Sequence, residues 1–169
     1  LEEAIEVERD LFHRLNERAI LHIDTTKLSL QELRNILFSR LSFKVKPEFT
    51  ISFMSFGFKH GLPIDADIVS DVRFLPNPYY IDELKEKTGN DAAVYDYVMK
   101  FDETKEFCQR LHAYLDYVLE QYAKQKRSHL TIAIGCTGGH HRSVTIANWL
   151  YGLYKDRYQC FLSHRDCEV

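Results

Sequence analysis

The sequence is poor in cysteine, with only four residues, and their positions match neither a C-x-x-C pair nor the spacing of a zinc site. Neither a disulfide scaffold nor a metal site is therefore expected. No apolar run approaches the roughly 20 residues that span a bilayer, and no signal-peptide pattern opens the chain. These absences indicate a protein of the reducing cytoplasm that makes no membrane contact.

An excess of positive charge is also lacking, since the 169 residues carry a formal net charge of -3. Proteins that hold polyanions by bulk charge are strongly basic, so the net charge does not point to a nucleic-acid-binding protein. What the chain does have is apolar sequence, with 45% hydrophobic residues. Its length and composition suit one compact domain, or one domain together with a piece of another.

The apolar pattern predicts an α/β fold, with a small mixed or parallel sheet flanked by helices. Two stretches of helical spacing enclose a short apolar run, and the second has a capping box from Ser29 to Glu32, so helix, strand and helix are expected over residues 1–40. After Arg40 the composition changes, and Pro47 interrupts any helix. We therefore divide the chain into residues 1–41 and 42–169.

The second part alternates strand and helix patterns. Strands are predicted over residues 49–58, 68–74 and 128–134, and helices over 92–100, 103–126 and 143–154. A further strand with a mobile end is expected within residues 159–169. A strand, a glycine-rich loop and a helix thus follow one another over residues 128–154.

The loop from Gly135 to Ser143 reads Gly-Cys-Thr-Gly-Gly-His-His-Arg-Ser and joins the predicted buried strand to the helix. Such a loop points backbone N–H groups at one spot, where the helix dipole adds partial positive charge. Gly138 and Gly139 leave room for a ligand, and Arg142 can offer a bidentate fork to phosphate oxygens. The sequence therefore predicts a phosphate-sized anion site here, rather than an ordinary glycine turn.

The same loop allows a catalytic alternative. Cys136 and Arg142 match the C-x5-R-[ST] spacing of cysteine phosphatases, in which a thiolate attacks phosphorus while backbone N–H groups hold the oxygens. Asp71 would then protonate the leaving group, although it could instead pair with Arg73 on the same strand face. A purely structural role for Cys136, as a small buried residue at the strand end, also stays open.

Two adjacent histidines complete the loop. Because neighbouring side chains on a loop point in different directions, we expect at most one of His140 and His141 to face the ligand. His140 is the one expected at the surface without a role. The histidines have no H-x-x-x-H or carboxylate spacing around them, so a metal is not predicted.

Three separated motifs carry a more specific signal. They are Ser55–Pro63 (SFGFKHGLP), Asp71–Pro78 (DVRFLPNP) and Ile134–Val144 (IGCTGGHHRSV). In this order they resemble the RapZ/YvcJ family, and the resemblance extends over the whole chain. That family joins an N-terminal P-loop domain, which binds ATP or GTP, to a C-terminal domain that recognises a small phosphorylated metabolite.

The resemblance implies that residues 1–41 are the end of the P-loop domain and that residues 42–169 are the C-terminal domain. Because the chain has no G-x-x-x-x-G-K-[ST] motif, ATP or GTP would be bound only by the intact protein, and this portion would hold no cofactor. The implied partners of the C-terminal domain are glucosamine 6-phosphate or a similar metabolite, small regulatory RNA and a ribonuclease. A tendency to form homo-oligomers is implied as well.

The family's ligand-site motif falls on a defined set of positions in this chain. The set comprises Asp71, Cys136, Thr137, Gly138, Gly139, His141, Arg142 and Ser143. Two positions depart from the family pattern: Tyr79 stands where the family has His, and His140 stands where it has Lys.

Overall fold

The computed structural model describes residues 49–125 and 127–167, and in the first part of the chain residues 5–8, 12, 23–29, 32–33, 36–37 and 40. The chain divides into two compact units, Leu1–Lys46 and Pro47–Val169. That the first unit is the end of a P-loop domain stays a prediction.

The described residues of the first unit include the predicted capping box. The N–H of Ser29 donates to the Glu32 carboxylate at 2.8 Å, and the Ser29 hydroxyl accepts from the N–H of Glu32 at 3.3 Å. Residues 5–8, 12, 32–33, 36–37 and 40 are helical, as their apolar spacing predicts. The strand predicted just before the capping box lies largely outside the described residues.

The second unit contains one sheet with helices beside it. Its described strands are β1 (Thr50–Gly57), β2 (Ile68–Asp71), β3 (His129–Cys136) and β4 (Gln159–His164), and its α-helices are α1 (Asp82–Lys85), α2 (Ala92–Met99), α3 (Asp102–Lys124) and α4 (Arg142–Tyr154). The strands pair in the order β2-β3-β1-β4, and each pair is parallel. The predicted α/β class is confirmed, with the sheet parallel rather than mixed.

The centre of the sheet is apolar because a parallel sheet is covered on both faces. In β3 every residue after His129 is buried, and Phe53 of β1 stacks on Tyr154 of α4 with ring centroids 5.9 Å apart. Leu115 of α3 belongs to the same core. Parallel pairing also brings the carboxyl ends of β1, β2 and β3 to one edge, which is where open α/β sheets usually bind ligands.

The structure corrects one predicted strand boundary. The predicted strand over 68–74 ends at Asp71, because the chain turns there: the Asp71 carboxylate accepts from the N–H of Arg73 at 2.9 Å, and the N–H of Leu75 donates to the carbonyl of Val72. Asp71 is therefore the last residue of the strand and Arg73 lies in the turn after it, so the two do not share one strand face. The motif Asp71–Pro78 leaves the sheet at this point.

A mobile end is also predicted after β4, but the described residues 165–167 are held by hydrogen bonds and burial. The N–H of Gly57 donates to the Asp166 carboxylate at 2.7 Å, Arg165 donates to the carbonyl of Gly61 at 2.8 Å, and Cys167 is buried. Burial disfavours the charged form of Asp166, but the hydrogen bonds from Arg165 and Gly57 outweigh it and lower the carboxyl pKa. The segment after β4 thus fastens the end of β1 beside the glycine-rich loop.

Candidate functional site

The glycine-rich loop, residues 137–141, leaves β3 and enters α4 at the carboxyl edge of the sheet. Gly139 has a φ of 87°, and a Cβ there would lie 2.8 Å from the backbone nitrogen of Gly57 and 2.9 Å from Cβ of Asp166. A Cβ on Gly138 would meet no atom closer than 3.4 Å. Gly139 is therefore required for the loop to fold against β1, whereas a side chain at Gly138 would make only ordinary contacts.

Cys136 lies beneath this loop. Its Sγ accepts from the N–H of Gly139 at 3.2 Å and lies 3.1 Å from Oγ of Ser143 in the first turn of α4. Cys136 and Ser143 are both buried. The thiol and the hydroxyl thus hold the curled loop against the start of the helix.

Arg142 is the first residue of α4, and its guanidinium group is held at Nη1 by two backbone carbonyl groups. Only 5% of the residue is exposed. Nη1 donates to the carbonyl oxygens of Arg73 at 2.5 Å and Leu75 at 3.1 Å, while Nη2 lies 3.4 Å from Oγ1 of Thr137. Among the described residues Nε has no hydrogen-bond partner. The edge formed by Nε and Nη2 is thus the fork that remains for an oxyanion.

The start of α4 provides further donors. The first N–H groups of a helix have no partner within the helix, and no side chain caps this one. The helix dipole adds partial positive charge at the same point. Together with the Arg142 fork, these groups form a site that favours an anion.

A cleft of about 710 Å³ opens beside the loop. Its lining comprises Lys59, Asn77, Tyr79, Tyr80, Lys85, Glu86, Lys87, Thr88, Cys136, Thr137, Gly138, His140, His141 and Arg142. Five of the predicted site residues are therefore brought together: Cys136, Thr137, Gly138, His141 and Arg142. Gly139 within the loop and Ser143 in the first turn of α4 are buried and do not line the cleft.

Asp71 lies outside the cleft lining, and its carboxylate is bound by Arg73. Nε of Arg73 lies 2.9 Å and Nη2 lies 2.6 Å from Oδ2 of Asp71. These hydrogen bonds are the main reason that the pKa of Asp71 is lowered, although burial opposes them, and the nearby charge of Arg142 also contributes. A carboxyl group that stays ionised near neutral pH has no proton to give to a leaving group.

Both histidines of the loop line the cleft, and the expectation that at most one of them faces the ligand stays a prediction. Their ring centroids lie 6.5 Å apart, and the two ring planes are tilted by 58°. Nε2 of His141 lies 3.2 Å from the carbonyl oxygen of Lys85, so that nitrogen carries the proton. Burial lowers the pKa of His141 despite this hydrogen bond, which favours the neutral ring.

The opposite wall of the cleft comes from the segment from Asn77 to Asn90, which the site prediction did not include. Gly89 joins it to the loop, because its N–H donates to the carbonyl of His140 at 2.8 Å. Nδ2 of Asn148 in α4 donates to Oδ1 of Asn90 at 2.8 Å. The Pro-Asn-Pro motif and the neighbouring Tyr79 are the sequence signals at this wall, whereas the positions of Lys85 and Thr88 depend on these long-range contacts.

Two kinds of feature are not found in the part of the chain that the structure describes. No group of three or more His, Cys, Asp or Glu side chains there could hold a metal ion. No helix there is both long and apolar enough to cross a membrane.

Comparison with known proteins gives a consistent result. A family model described as the RapZ C-terminal domain matches residues 49–168. A nucleotide-binding protein of Bacillus pumilus (strain SAFR-032) is 49% identical over 166 residues, and one of Geobacillus kaustophilus (strain HTA426) is 48% identical over the same length; each match covers 98% of this chain and 56% of the relative. The chain thus spans about half the length of these relatives. The resemblance seen in the three motifs is confirmed, and the chain belongs to the RapZ C-terminal domain family.

Proposed function

We propose that the cleft binds the phosphate group of a small phosphorylated metabolite, and that the domain acts as a sensor within a longer nucleotide-binding protein. The observation that carries this proposal is Arg142, which is buried at an uncapped helix start with Nε lacking a partner in the described residues. Leaving such a donor unsatisfied costs about 1–3 kcal/mol. An anion on the Nε–Nη2 edge would remove that cost.

The surroundings of Arg142 suit phosphate in particular. Phosphate offers several oxygens, and Arg142, the glycine-rich loop and Lys59 all line the same cleft. Nζ of Lys59 is 3.8 Å from the point where a Cβ of Gly138 would lie, so its ammonium group lies close to the loop. A carboxylate would use the fork but leave the other donors without oxygens.

The resemblance to the family suggests a phosphorylated amino sugar, with glucosamine 6-phosphate as the ligand to test first. A cleft of about 710 Å³ is large enough for a hexose phosphate. Asn77 and Thr88 could bind sugar hydroxyls, and Glu86 is the carboxylate in the described lining that could accept from an ammonium group.

The test is calorimetric titration of the chain with glucosamine 6-phosphate and with glucosamine. The phosphate ester should bind and glucosamine should not, and Arg142→Gln should weaken binding by at least about tenfold. Arg110→Gln is the matched control, because Arg110 lies on α3 in an exposed ion pair with Glu106. Equal binding by the wild type and Arg142→Gln would refute the proposed site.

A second candidate function, a cysteine-dependent phosphatase, is favoured by one observation. Sγ of Cys136 lies under the loop with Gly139 N–H and Ser143 Oγ directed at it, an arrangement that would suit a nucleophile. The ionised, Arg73-bound state of Asp71 argues against it, because Asp71 was the candidate acid. Release of phosphate from an aryl phosphate, abolished by Cys136→Ser, would establish this function, and no release would exclude it for that substrate.

The remaining parts of the proposal concern the longer protein. The relatives are named nucleotide-binding proteins, so we propose that ATP or GTP is bound by the portion of such proteins that this chain does not span. Regulatory RNA, a ribonuclease and assembly into homo-oligomers are proposed from the resemblance. RNA binding should weaken steeply with added salt if phosphate contacts carry it.

A further inference from the structure

The cleft lining contains two tyrosines whose rings are exposed. Tyr79 is 51% and Tyr80 is 81% exposed, and both line the cleft. The other side chains of the described lining are mostly charged, amide, hydroxyl or imidazole groups. Ligand sites usually combine aromatic surface with a small number of polar groups. The two tyrosine rings are therefore the part of the cleft that suits an apolar surface of a ligand.

Tyr79 is held in place by the backbone around it. It belongs to a single 3₁₀ turn, Pro78–Tyr80, that begins with a buried proline, and its N–H lies 3.4 Å from Oδ1 of Asn77. The turn is closed by the N–H of Ile81, which donates to the carbonyl of Pro78 at 2.9 Å. Because proline restricts the backbone at the start of the turn, the position of Tyr79 is set without a ligand.

Lys85 connects the ring of Tyr79 to the loop side of the cleft. Nζ of Lys85 lies over the ring, 5.0 Å from its centroid, and the Lys85 carbonyl oxygen lies 3.2 Å from Nε2 of His141. This cation–π contact helps to orient the ring. One cleft of about 710 Å³ includes both the ring and Arg142, so a hexose phosphate held at Arg142 can extend to Tyr79.

A hexopyranose has the two kinds of surface that this wall offers. Its hydroxyl groups project around the rim, and in the gluco configuration the two faces of the ring carry C–H groups. Asn77 and Thr88 supply polar groups for the hydroxyls, whereas the face of an aromatic ring suits the C–H groups. An open-chain polyol phosphate has the same phosphate and similar hydroxyl groups but no such face.

We propose that Tyr79 stacks on the C–H face of a pyranose ring, and that the cleft thereby selects cyclic sugar phosphates over open-chain ones. The inference rests on the proposed phosphate site, and it includes glucosamine 6-phosphate, whose ring form presents such a face. The loop binds the phosphate group, and the ring of Tyr79 recognises the body of the ligand. Tyr79 thus determines specificity without supplying charge.

The test compares glucose 6-phosphate with glucitol 6-phosphate, which has the same carbon chain but no ring. Calorimetry should show that the wild type binds glucose 6-phosphate at least about fivefold more tightly. Tyr79→Ala should reduce this preference to less than about twofold, whereas Tyr79→Phe, which keeps the aromatic ring, should retain it. Nuclear Overhauser effects should connect the ring protons of Tyr79 with C–H protons of bound glucose 6-phosphate.

The control is Tyr117→Ala, which removes a tyrosine that is 67% exposed on α3, outside the cleft lining. It should keep the wild-type preference, and melting curves of all variants verify that they are folded. A wild type that binds both esters equally, or a preference that survives in Tyr79→Ala, would overturn the inference while leaving the phosphate site intact. Binding of neither ester would instead refute the phosphate site itself.

Discussion

Glycine is required at Gly139 by the backbone conformation and the close contacts there, whereas nothing in the structure requires it at Gly152. Gly139 has a φ of 87° and contacts β1, so it adopts a backbone conformation that other residues rarely adopt. Gly152 lies inside α4, and a Cβ there would meet nothing within 4 Å. The loop conformation depends on Gly139, whereas Gly152 makes α4 less stable than alanine at the same position would.

We therefore predict opposite effects of alanine at these two positions. Gly139→Ala should lower the free energy of unfolding by about 1–3 kcal/mol or more, because backbone strain adds to the overlap with Gly57. Gly152→Ala should raise it by about 0.5–1 kcal/mol, through better helix propensity. Urea unfolding measures both, and a Gly139→Ala protein as stable as the wild type would contradict the loop geometry.

His141 provides a pH-dependent prediction at the same scale. Burial lowers its pKa below the value of 6.5 that it has when exposed, so below about pH 6.5 the unfolded chain binds more protons at this site than the folded chain. The contribution of His141 to the free energy of unfolding is therefore fully present above that pH and decreases as the pH falls. His164, whose pKa is also lowered by burial, acts in the same direction.

The measurement is the melting temperature between pH 7.5 and 5.5 without ligand. His141→Gln should show a smaller decrease than the wild type, since Gln keeps a donor for the Lys85 carbonyl but takes up no proton. His164→Gln should likewise reduce the decrease in melting temperature, independently of His141. An unchanged pH dependence in His141→Gln would show that this histidine is not held neutral by the fold.

Among the elements, the segment from Asn77 to Asn90 matters most for the site, because it forms the wall opposite the loop. Hydrogen bonds from Asn148 contribute to its attachment to α4. Asn148 donates to Oδ1 of Asn90 at 2.8 Å and to the carbonyl of Gly89 at 3.3 Å. A Cβ on Gly89 would lie 2.4 Å from the carbonyl oxygen of His141, so the two segments are in close contact.

Asn148→Ala should loosen this wall without disturbing the sheet. We expect faster amide hydrogen exchange over residues 85–91, unchanged exchange in β3, and about two- to tenfold weaker binding of a phosphate ester, as the loss of one or two hydrogen bonds would cause. Gln109→Ala on the exposed face of α3 serves as the control. Unchanged exchange over residues 85–91 would mean that other contacts hold the wall.

The elements also show what the sequence could predict. The apolar runs of β1 and β3, the long amphipathic α3 and the capping box at Ser29 depend on local patterns, and all were predicted within a few residues. The end of β2 at Asp71 was not, because it depends on a carboxylate that turns the chain through the N–H of Arg73. A residue pattern alone does not distinguish such a turn from one more strand residue.

At the scale of the whole molecule, the parallel sheet decides which residues meet. Glycine, arginine and helix-start signals identified the loop side of the cleft, since that side is continuous in sequence from Cys136 to Arg142. The opposite wall is about 50 residues earlier in the chain and carries no motif at Lys85 or Lys87. Its place in the cleft follows from the tertiary contacts of Gly89 and Asn148, which composition and spacing do not reveal.

The central claim is that a phosphate ester binds at the loop between β3 and α4. The most direct test is a ¹H–¹⁵N NMR titration of the ¹⁵N-labelled chain with glucose 6-phosphate, with glucose as the matched unphosphorylated ligand. The account predicts that only the phosphate ester shifts the amide signals, with the largest shifts over residues 137–141 and in the first turn of α4. Equal shifts with glucose, or shifts centred away from the loop, for example along α3, would contradict it.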